Sequence, residues 1–328
     1  MKTLTQKKIL TGVKPTGASL TLGNLVGAVL PFGQLAEGND AAIFIADLHA
    51  LTSVKDGAKL RSQTAEVALE YFSIYGPDTP ITIFRQSDIP LIPRLNWVLN
   101  AVTPYSLMLR AHSFKDAEAK GIDLNMAVFN YPILMAADIL AYDTDIVPVG
   151  RDQKQHLEMA RDIARAFNKT YKSEVFKEPR EYIEESVATL PGLDGRKMSK
   201  SYDNFIGVFD DEKTLKKKIA TIVTDSKGLD DPKDPETCNI FALAKVFATS
   251  DRLAVMREKY LRGTGYGYGH AKADLLEILL DALRPYHERC EQLLKDPGFI
   301  ETKLQEGART MNARIEAKMQ IVSELVGI

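Results

Sequence analysis

Lys197 and Lys200 lie in the polar segment GRKMSKSYDN at 195–204, together with Ser199 and Ser201. Two flexible ammonium groups in one loop are suited to neutralising charge that develops on a leaving phosphate, a task of position and electrostatics rather than proton transfer. Paired loop lysines are most often only solvated surface. The string KMSKS changes that balance, because it arises by chance on the order of once in ten thousand chains of this length.

A glycine-rich segment near the N-terminus, TGVKPTGASLTLGNLVGA, follows the first apolar run. Gly12 and Gly17 have the spacing of a phosphate-binding P-loop, but Ala18 stands where that loop requires lysine. A strand, a glycine loop and a helix N-terminus still present backbone N–H groups and a positive dipole end to an anion. The segment therefore predicts an anion site, with a purely structural tight turn as the alternative.

Aromatic, sulfur and carboxylate side chains recur at helical spacing in the apolar stretch 125–142. If this stretch is helical, Tyr131, Met135, Asp138 and Tyr142 fall within ~40° of one another around the axis. Core packing is the ordinary interpretation of such a stripe. A carboxylate within it needs a hydrogen-bond donor to be buried, however, and an indole N–H is such a donor.

These residues must be positioned by the elements around them, and the first 190 residues alternate short apolar runs with stretches of helical period. Strands are predicted at KKILTGV, AAIFIAD, ITIFRQS and DIVPVG, and helices over 23–37, 56–75, 125–141 and 152–168. The alternation predicts an α/β fold with a Rossmann-like, doubly wound parallel sheet. Ligands bind such sheets at the carboxyl ends of the strands.

After Asn204 strand signals almost disappear and helical patterns follow one another. Helices are predicted over 210–223, 240–247, 252–260, 271–295 and 299–326, with GTGYGYGH at 263–270 as a flexible loop. We therefore predict two domains: a catalytic domain over 1–204 and an all-helical domain over 205–328, whose last helix is able to pack back on the catalytic domain.

The composition is that of an ordinary globular chain. Its 328 residues include 42 Lys and Arg, 44 Asp and Glu, 45% hydrophobic residues and two cysteines. This balance argues against disorder, no run reaches the ~18–20 apolar residues of a membrane span, and MKTLTQKKIL lacks the apolar region of a secretory signal. We expect a cytoplasmic protein that does not coat nucleic acid through bulk charge, while a local basic site stays compatible.

The glycine segment and KMSKS, in this order around an α/β region, resemble the two signatures of class I aminoacyl-tRNA synthetases. The first signature usually reads HIGH, and the equivalent positions here are Thr21, Leu22, Gly23 and Asn24. This form, with IADLHAL, NYPILMAADIL, DIVPVGRDQKQHLEMARDIA and VTDS, resembles the bacterial type of the tryptophanyl-tRNA synthetase family over most of the chain. The resemblance implies a homodimer that activates L-tryptophan with ATP and transfers it to the 3′ end of tRNA(Trp).

The resemblance also implies roles for individual residues. Catalytic contacts to the phosphates are implied for Thr21, Asn24, Lys115, Lys197 and Lys200. ATP binding is implied for Lys14, Pro15, Thr16, Gly23, Asn24, Gly150, Arg151, Asp152, Ala188, Lys197, Met198, Ser199, Lys200 and Ser201. Tryptophan binding is implied for Asp138 at the indole nitrogen, Met135, Val147 and Val149 around the ring, Tyr131 and Gln153 at the α-amino group, and His49 near the substrate. Magnesium should accompany ATP, and we expect no protein-bound zinc.

Three basic features depart from the common pattern or have two interpretations. Lys14 stands where that family usually has glutamine, and Arg151 where it usually has glutamate. Both add positive charge beside the expected nucleotide and leave the carboxylate contacts open. In the helical domain, the lysines of 213–218 either contact tRNA phosphates or form a solvated helix face.

Two other functions stay open on the sequence. A tyrosyl-tRNA synthetase shares the fold and the reaction, but that family typically shows an HxGH-like signature and a KFGKS-like loop, whereas this chain has TLGN, KMSKS and MAADIL. A non-catalytic RNA-binding paralogue would keep the fold and lose phosphate-contacting residues. Here Gly23, Asn24, Lys197, Ser199 and Lys200 are all present, which disfavours that alternative.

Overall fold

The structure is a computed structural model that describes residues 5–15, 17, 19–111, 124–150, 153–183 and 190–328. The chain forms two compact units. Unit 1 comprises Met1–Gly17, Phe32–Glu185 and Asp296–Ile328, and unit 2 comprises Ala18–Pro31 and Ser186–Lys295. The units are defined by packing, and the division into functional domains at residues 204 and 205 stays a prediction.

A five-stranded parallel sheet forms the centre of unit 1, with the strand order β3-β2-β1-β4-β5. The strands are β1 (Lys8–Val13), β2 (Asp40–Ile45), β3 (Thr82–Arg85), β4 (Ile146–Pro148) and β5 (Arg180–Tyr182). Strand order reverses between β1 and β4, which is where doubly wound sheets open a ligand crevice at the strand carboxyl ends. The predicted α/β fold with a parallel sheet is confirmed.

The described helices agree with most of the predicted ones to within a few residues. In chain order they are α1 (Leu22–Asn24), a π-helical turn (Leu25–Val29), α2 (Leu30–Ala36), α3 (Asp47–Ala50), α4 (Gly57–Tyr75), α5 (Leu91–Val102), α6 (Tyr105–Met108), α7 (Met126–Leu140), α8 (Lys154–Tyr171), α9 (Glu212–Ala220), α10 (Asn239–Phe247), α11 (Ser250–Arg262), α12 (Tyr268–Leu294) and α13 (Pro297–Val326). Short 3₁₀ turns cover Gln86–Asp88 and Lys200–Tyr202. None of these helices is both long and apolar enough to cross a membrane.

Three local differences from the sequence-based expectations have physical reasons. The strand β5 was not predicted because it has only three residues and no buried side chain. The helix α5 was not predicted because Pro90 and Pro93 flank its start and interrupt the apolar pattern. The loop predicted over 263–270 is too long, since α12 already begins at Tyr268.

The last helix, α13, packs on the sheet of unit 1. Met311, Ile315 and Val322 belong to the same hydrophobic core as residues of β2 and β3. At Gly307 the helix approaches β3 so closely that a Cβ there would lie 2.2 Å from the carbonyl oxygen of Ile83. Only glycine fits this contact without a backbone shift.

In unit 2, the segment before α1 pairs with the segment that precedes α9. The Leu22 amide donates to the Ile206 carbonyl at 2.9 Å, and the Val208 amide donates to the Leu20 carbonyl at 2.7 Å. His287 on α12 donates from Nε2 to the Val208 carbonyl at 2.8 Å. The loop around the first signature is therefore anchored to the chain that follows KMSKS.

Candidate active site

Asp138 on α7 is a buried carboxylate, only 2% exposed, and its hydrogen-bond donors come from the protein itself. His49 Nε2 lies 2.9 Å from Oδ2, and Gln86 Nε2 lies 2.8 Å from both carboxylate oxygens. Burial raises the pKa of the Asp138 carboxyl above its ordinary value, and the donors on His49 and Gln86 oppose that rise. The sequence argument named only an indole as donor, so these two protein donors correct it.

The ends of β2 and β3 bring His49 and Gln86 to this carboxylate. Asp47, at the start of α3, accepts hydrogen bonds from the backbone amide and the hydroxyl of Ser87. The His49 amide in turn donates to Gln86 Oε1 at 3.3 Å. Because parallel strands end at the same edge of the sheet, adjacent strand ends place these side chains together.

A second polar cluster joins α7 to α8. The Tyr131 hydroxyl lies 3.0 Å from His156 Nδ1 and 3.4 Å from Gln153 Oε1, and His156 Nδ1 lies 3.1 Å from Gln153 Oε1. The Tyr131 ring also meets the His49 ring edge to face, with centroids 5.5 Å apart. Two of the predicted tryptophan-binding residues, Tyr131 and Gln153, therefore lie together, and Tyr131 contacts a third.

His49 and Tyr131 line a cavity of about 240 Å³, together with Thr52 and Asn96 among others. Lys14 is exposed and donates from Nζ to the Thr52 hydroxyl at 2.8 Å, which places an ammonium group beside a residue of the cavity wall. This position suits an anionic ligand group.

The other predicted ring contacts have less exposed positions. Val147 on β4 is buried in the core of unit 1, and Met135 and Val149 are partly buried against it. None of these three side chains lines the cavity beside His49. The structure thus places them in the apolar surroundings of Asp138's helix and the neighbouring strand, and their predicted contacts with an indole ring stay a prediction.

In unit 2, the first signature forms the N-terminus of a helix. Thr21 is the N-cap of α1: its hydroxyl accepts from the Asn24 amide at 3.0 Å and donates to Asn24 Oδ1 at 2.8 Å. This arrangement fixes both side chains at the positive end of the helix, where N–H groups favour an anion.

The KMSKS loop of unit 2 is held by a residue just beyond it. Asn204 is 3% exposed, accepts from the Ser199 amide at 2.8 Å, and donates to the Lys197 carbonyl at 3.2 Å. Its amide also donates to Asp194 at 2.7 Å. The Ser199 hydroxyl then caps the short turn at Lys200. The backbone is ordered while the Lys197 side chain stays exposed, as a mobile cationic contact requires.

The two signatures meet within unit 2. A Cβ added to Gly23 would lie 3.6 Å from Cβ and Sδ of Met198, which is itself buried. Residues 20–22 pair with 206–208 on the other side of the loop. Glycine at position 23 therefore lets the helix N-terminus lie directly against KMSKS.

The remaining predicted ATP contacts divide into two groups. Pro15 is buried and Gly150 is exposed at the end of β4, where its carbonyl accepts from the Gln153 amide at 2.9 Å. Thr16, Lys115, Arg151, Asp152 and Ala188 lie outside the described residues. Within the described ranges, no group of three or more His, Cys, Asp or Glu side chains is arranged to hold a metal ion.

Comparison with known proteins decides the family. The pattern of the family described as tRNA synthetases class I (W and Y), for tryptophan and tyrosine, matches residues 2–284. The chain belongs to this family. Its fold and its two signatures are therefore those of a class I aminoacyl-tRNA synthetase, which confirms the sequence-based expectation of an enzyme of this kind.

Similar class I synthetases extend over almost the whole chain. A tryptophan–tRNA ligase from Fusobacterium nucleatum is 42% identical over 322 residues, covering 98% of each chain. The structure is similar, with a TM-score of 0.94 and 42% identity, to the tryptophanyl-tRNA synthetase of Campylobacter jejuni complexed with ADP and tryptophan, covering 98% of this chain and 100% of that one. A tyrosyl-tRNA synthetase from Archaeoglobus fulgidus, 19% identical with a TM-score of 0.63, shares the fold.

Sequence reasoning missed three buried polar residues of this class I synthetase. Gln86 and His156 join the clusters around Asp138 and Tyr131, and Asn204 holds KMSKS. Asn204 and His156 stand inside segments already noted for their resemblance, so a buried-amide or buried-imidazole argument was possible there. Gln86 ends an apolar strand pattern and carries no signal of its own.

Proposed function

We propose that this chain is a tryptophan–tRNA ligase that forms tryptophanyl-adenylate and then tryptophanyl-tRNA. One observation carries the choice of amino acid: a buried carboxylate, Asp138, in a synthetase that is 42% identical to tryptophan–tRNA ligases over nearly its full length. A buried carboxylate that accepts an indole N–H rejects phenylalanine strongly, because lost polar pairing is worth ~10⁴-fold or more in discrimination.

In the first step, an oxygen of the tryptophan carboxylate forms a bond to the α-phosphorus of ATP, and the bond to the pyrophosphate oxygen breaks. The substrate supplies the nucleophile, so the protein contributes alignment and charge stabilisation. Unit 1 binds tryptophan through Asp138, Tyr131, Gln153 and His49. Transfer then moves the aminoacyl group to a ribose hydroxyl of the terminal adenosine, with AMP as the leaving group.

Unit 2 supplies the phosphate contacts. Thr21 and Asn24 present hydrogen-bonding groups at a helix N-terminus, and Lys197 and Lys200 follow the negative charge onto the pyrophosphate. The ADP in the similar Campylobacter jejuni synthetase supports ATP as the nucleotide. Magnesium enters as part of the MgATP substrate, since Mg²⁺ is commonly held by substrate phosphates with few protein ligands.

ATP–pyrophosphate exchange, measured in parallel with tryptophan, tyrosine and phenylalanine, tests this function. We expect exchange with tryptophan at a kcat/KM at least ~10³-fold above that for the other two. Preference for tyrosine would instead make the chain a tyrosine–tRNA ligase. Absence of exchange with every amino acid would support the non-catalytic paralogue.

The helical part is the proposed tRNA-binding region, and α9 carries three exposed lysines there: Lys213, Lys216 and Lys217. Lys218 is not available, because its ammonium pairs with Asp210 at 2.7 Å. Changing the three exposed lysines to glutamate should weaken tRNA binding and lower the slope of log K against log salt by about two to three, one contact for each phosphate lost.

Filter binding of tRNA over a salt series measures this slope, and pyrophosphate exchange in the same variant should stay unchanged. Lys245→Glu on α10 is the control for a change of exposed charge. An unchanged salt slope, or a defect in exchange instead, would show that the lysines of α9 are only a solvated surface.

A homodimer is supported by an apolar surface of unit 1. Trp97 is 76% exposed on α5 and Met126 is 74% exposed at the start of α7, two helices that pack together, and Tyr105 on α6 is also exposed. Apolar surfaces of this kind mark protein contacts. The chain's mass of 36.4 kDa should therefore double in solution, and Trp97→Asp should return it towards the monomer value.

Light scattering after size exclusion gives these masses at one protein concentration. Val255→Asp changes an exposed apolar residue of unit 2 and should leave the dimer intact. A monomeric wild-type chain, or a Trp97→Asp variant that stays dimeric, would place the interface elsewhere or remove it. The cytoplasmic location expected from the composition stays a prediction.

A further inference from the structure

Gln86 is a fully buried amide between the two groups that meet in the tryptophan site. Its side chain is 1% exposed, with Nε2 2.8 Å from both oxygens of Asp138 and Oε1 3.3 Å from the His49 amide. No step of the reaction described above uses this residue. Its position nevertheless makes it the link between a backbone amide and the carboxylate.

The chemistry of the neighbours fixes the orientation of the Gln86 amide. An ionised carboxylate only accepts hydrogen bonds and a backbone N–H only donates them. The amide NH₂ must therefore face Asp138, and the amide oxygen must face His49. The reversed amide would place an oxygen against the carboxylate and leave the His49 N–H without an acceptor.

The contacts also distinguish the two oxygens of Asp138. Oδ2 receives the His49 and Gln86 donors, whereas Oδ1 receives Gln86 alone. A carboxylate offers about four lone-pair sites, two on each oxygen. Among the described residues, the remaining acceptor site is therefore on Oδ1, which is the oxygen able to accept a further N–H.

The segment that carries Gln86 is held on both sides. Ser87 binds Asp47 through its amide and hydroxyl, and the Arg85 guanidinium binds Asp88 and makes a bidentate pair with Glu301 on α13. Asn312, also on α13, donates to the Asp88 carbonyl at 2.9 Å. A side chain on such a fixed turn loses little freedom when it orients a partner.

We propose that Gln86 is the positioning residue for amino-acid selection: it holds the Asp138 carboxylate so that Oδ1 accepts the indole N–H. The proposal rests on the proposed function and deepens it. The direction of the Asp138 pKa agrees, because burial favours the neutral acid and the Gln86 donor favours the ionised form that accepts best.

An analogue in which sulfur replaces the indole N–H, β-(3-benzothienyl)alanine, isolates this contact. The measured quantity is the ratio of kcat/KM for tryptophan to that for the analogue in pyrophosphate exchange. Gln86→Met keeps the size and removes the donor, so the ratio should fall by ~10-fold or more, mainly through a higher KM for tryptophan. The KM for ATP should not change.

Two further variants separate positioning from folding. Asn168→Leu removes another buried amide of unit 1, and it should lower the melting temperature without altering the ratio. Gln86→Glu replaces the donor by an acceptor, so the ratio should be low at neutral pH and recover in part as falling pH protonates the introduced carboxyl group. This variant keeps the test valid if Gln86→Met does not fold.

The outcomes are distinguishable. A selective wild-type enzyme whose ratio is unchanged in Gln86→Met overturns the role of Gln86 alone. A ratio that falls only because both amino acids are affected through protein stability also overturns it. A wild-type enzyme that activates tryptophan and the analogue equally overturns the role of Asp138, and this proposal with it, whereas failure to activate tryptophan overturns the proposed function itself.

Discussion

Replacing Asp138 by alanine should reduce the preference for tryptophan over phenylalanine by ~10³-fold or more, the largest selectivity change expected of any variant here. The variant removes the acceptor for the indole N–H and leaves the donors of His49 and Gln86 without their buried partner. Each unpaired buried group costs about 1–3 kcal/mol, so the free energy of unfolding should fall as well.

Pyrophosphate exchange with tryptophan and with phenylalanine gives the selectivity, and thermal unfolding gives the stability. Asp138→Asn is the matched variant, since it keeps the shape and one acceptor oxygen but loses the charge. Its selectivity should lie between those of the wild type and Asp138→Ala. If Asp138→Ala activates tryptophan normally and keeps its preference over phenylalanine, the assigned role is wrong.

Replacing Lys200 by alanine should lower kcat for adenylate formation by ~10²–10³-fold, because a positioned cation no longer stabilises the charge on the departing pyrophosphate. The KM for tryptophan should stay within about twofold, since tryptophan binding belongs to residues of unit 1. Lys197→Ala should act in the same direction. The exposed Lys197 ammonium, on an ordered backbone, is suited to follow the charge as it moves.

Single-turnover adenylate formation at saturating tryptophan and ATP separates chemistry from binding. Lys227→Ala removes an exposed lysine of the same unit outside the loop and should leave kcat unchanged. A Lys200→Ala enzyme with normal kcat and a raised KM for tryptophan would contradict a role in charge stabilisation.

Sequence patterns predicted the sheet and the two signatures because each depends on local order along the chain. The apolar runs around β1 to β4 and the KMSKS string are contiguous, so periodicity and composition suffice. The stripe with Asp138 was also visible at helical spacing. The donors of Asp138 were only partly visible, since His49 was placed near the substrate and Gln86 was not noticed.

That difference has a physical reason. Gln86 and Asp138 are 52 residues apart, and His49 and Asp138 are 89 residues apart. Their contacts depend on which strands are neighbours and on where each strand ends, which no local pattern records. The same holds for the packing of α13 on β3, because Arg85 and Glu301 are separated by 216 residues.

The close contact between α13 and β3 has a consequence for how the chain is made. At about 5–20 residues per second, a ribosome needs roughly 10–40 s to add the 216 residues from Arg85 to Glu301. During that interval β3, an edge strand, has no helix across it, and the turn that carries Gln86 lacks its anchor. Unit 1 therefore cannot finish folding during early translation, and its nascent form presents apolar surface that chaperones bind.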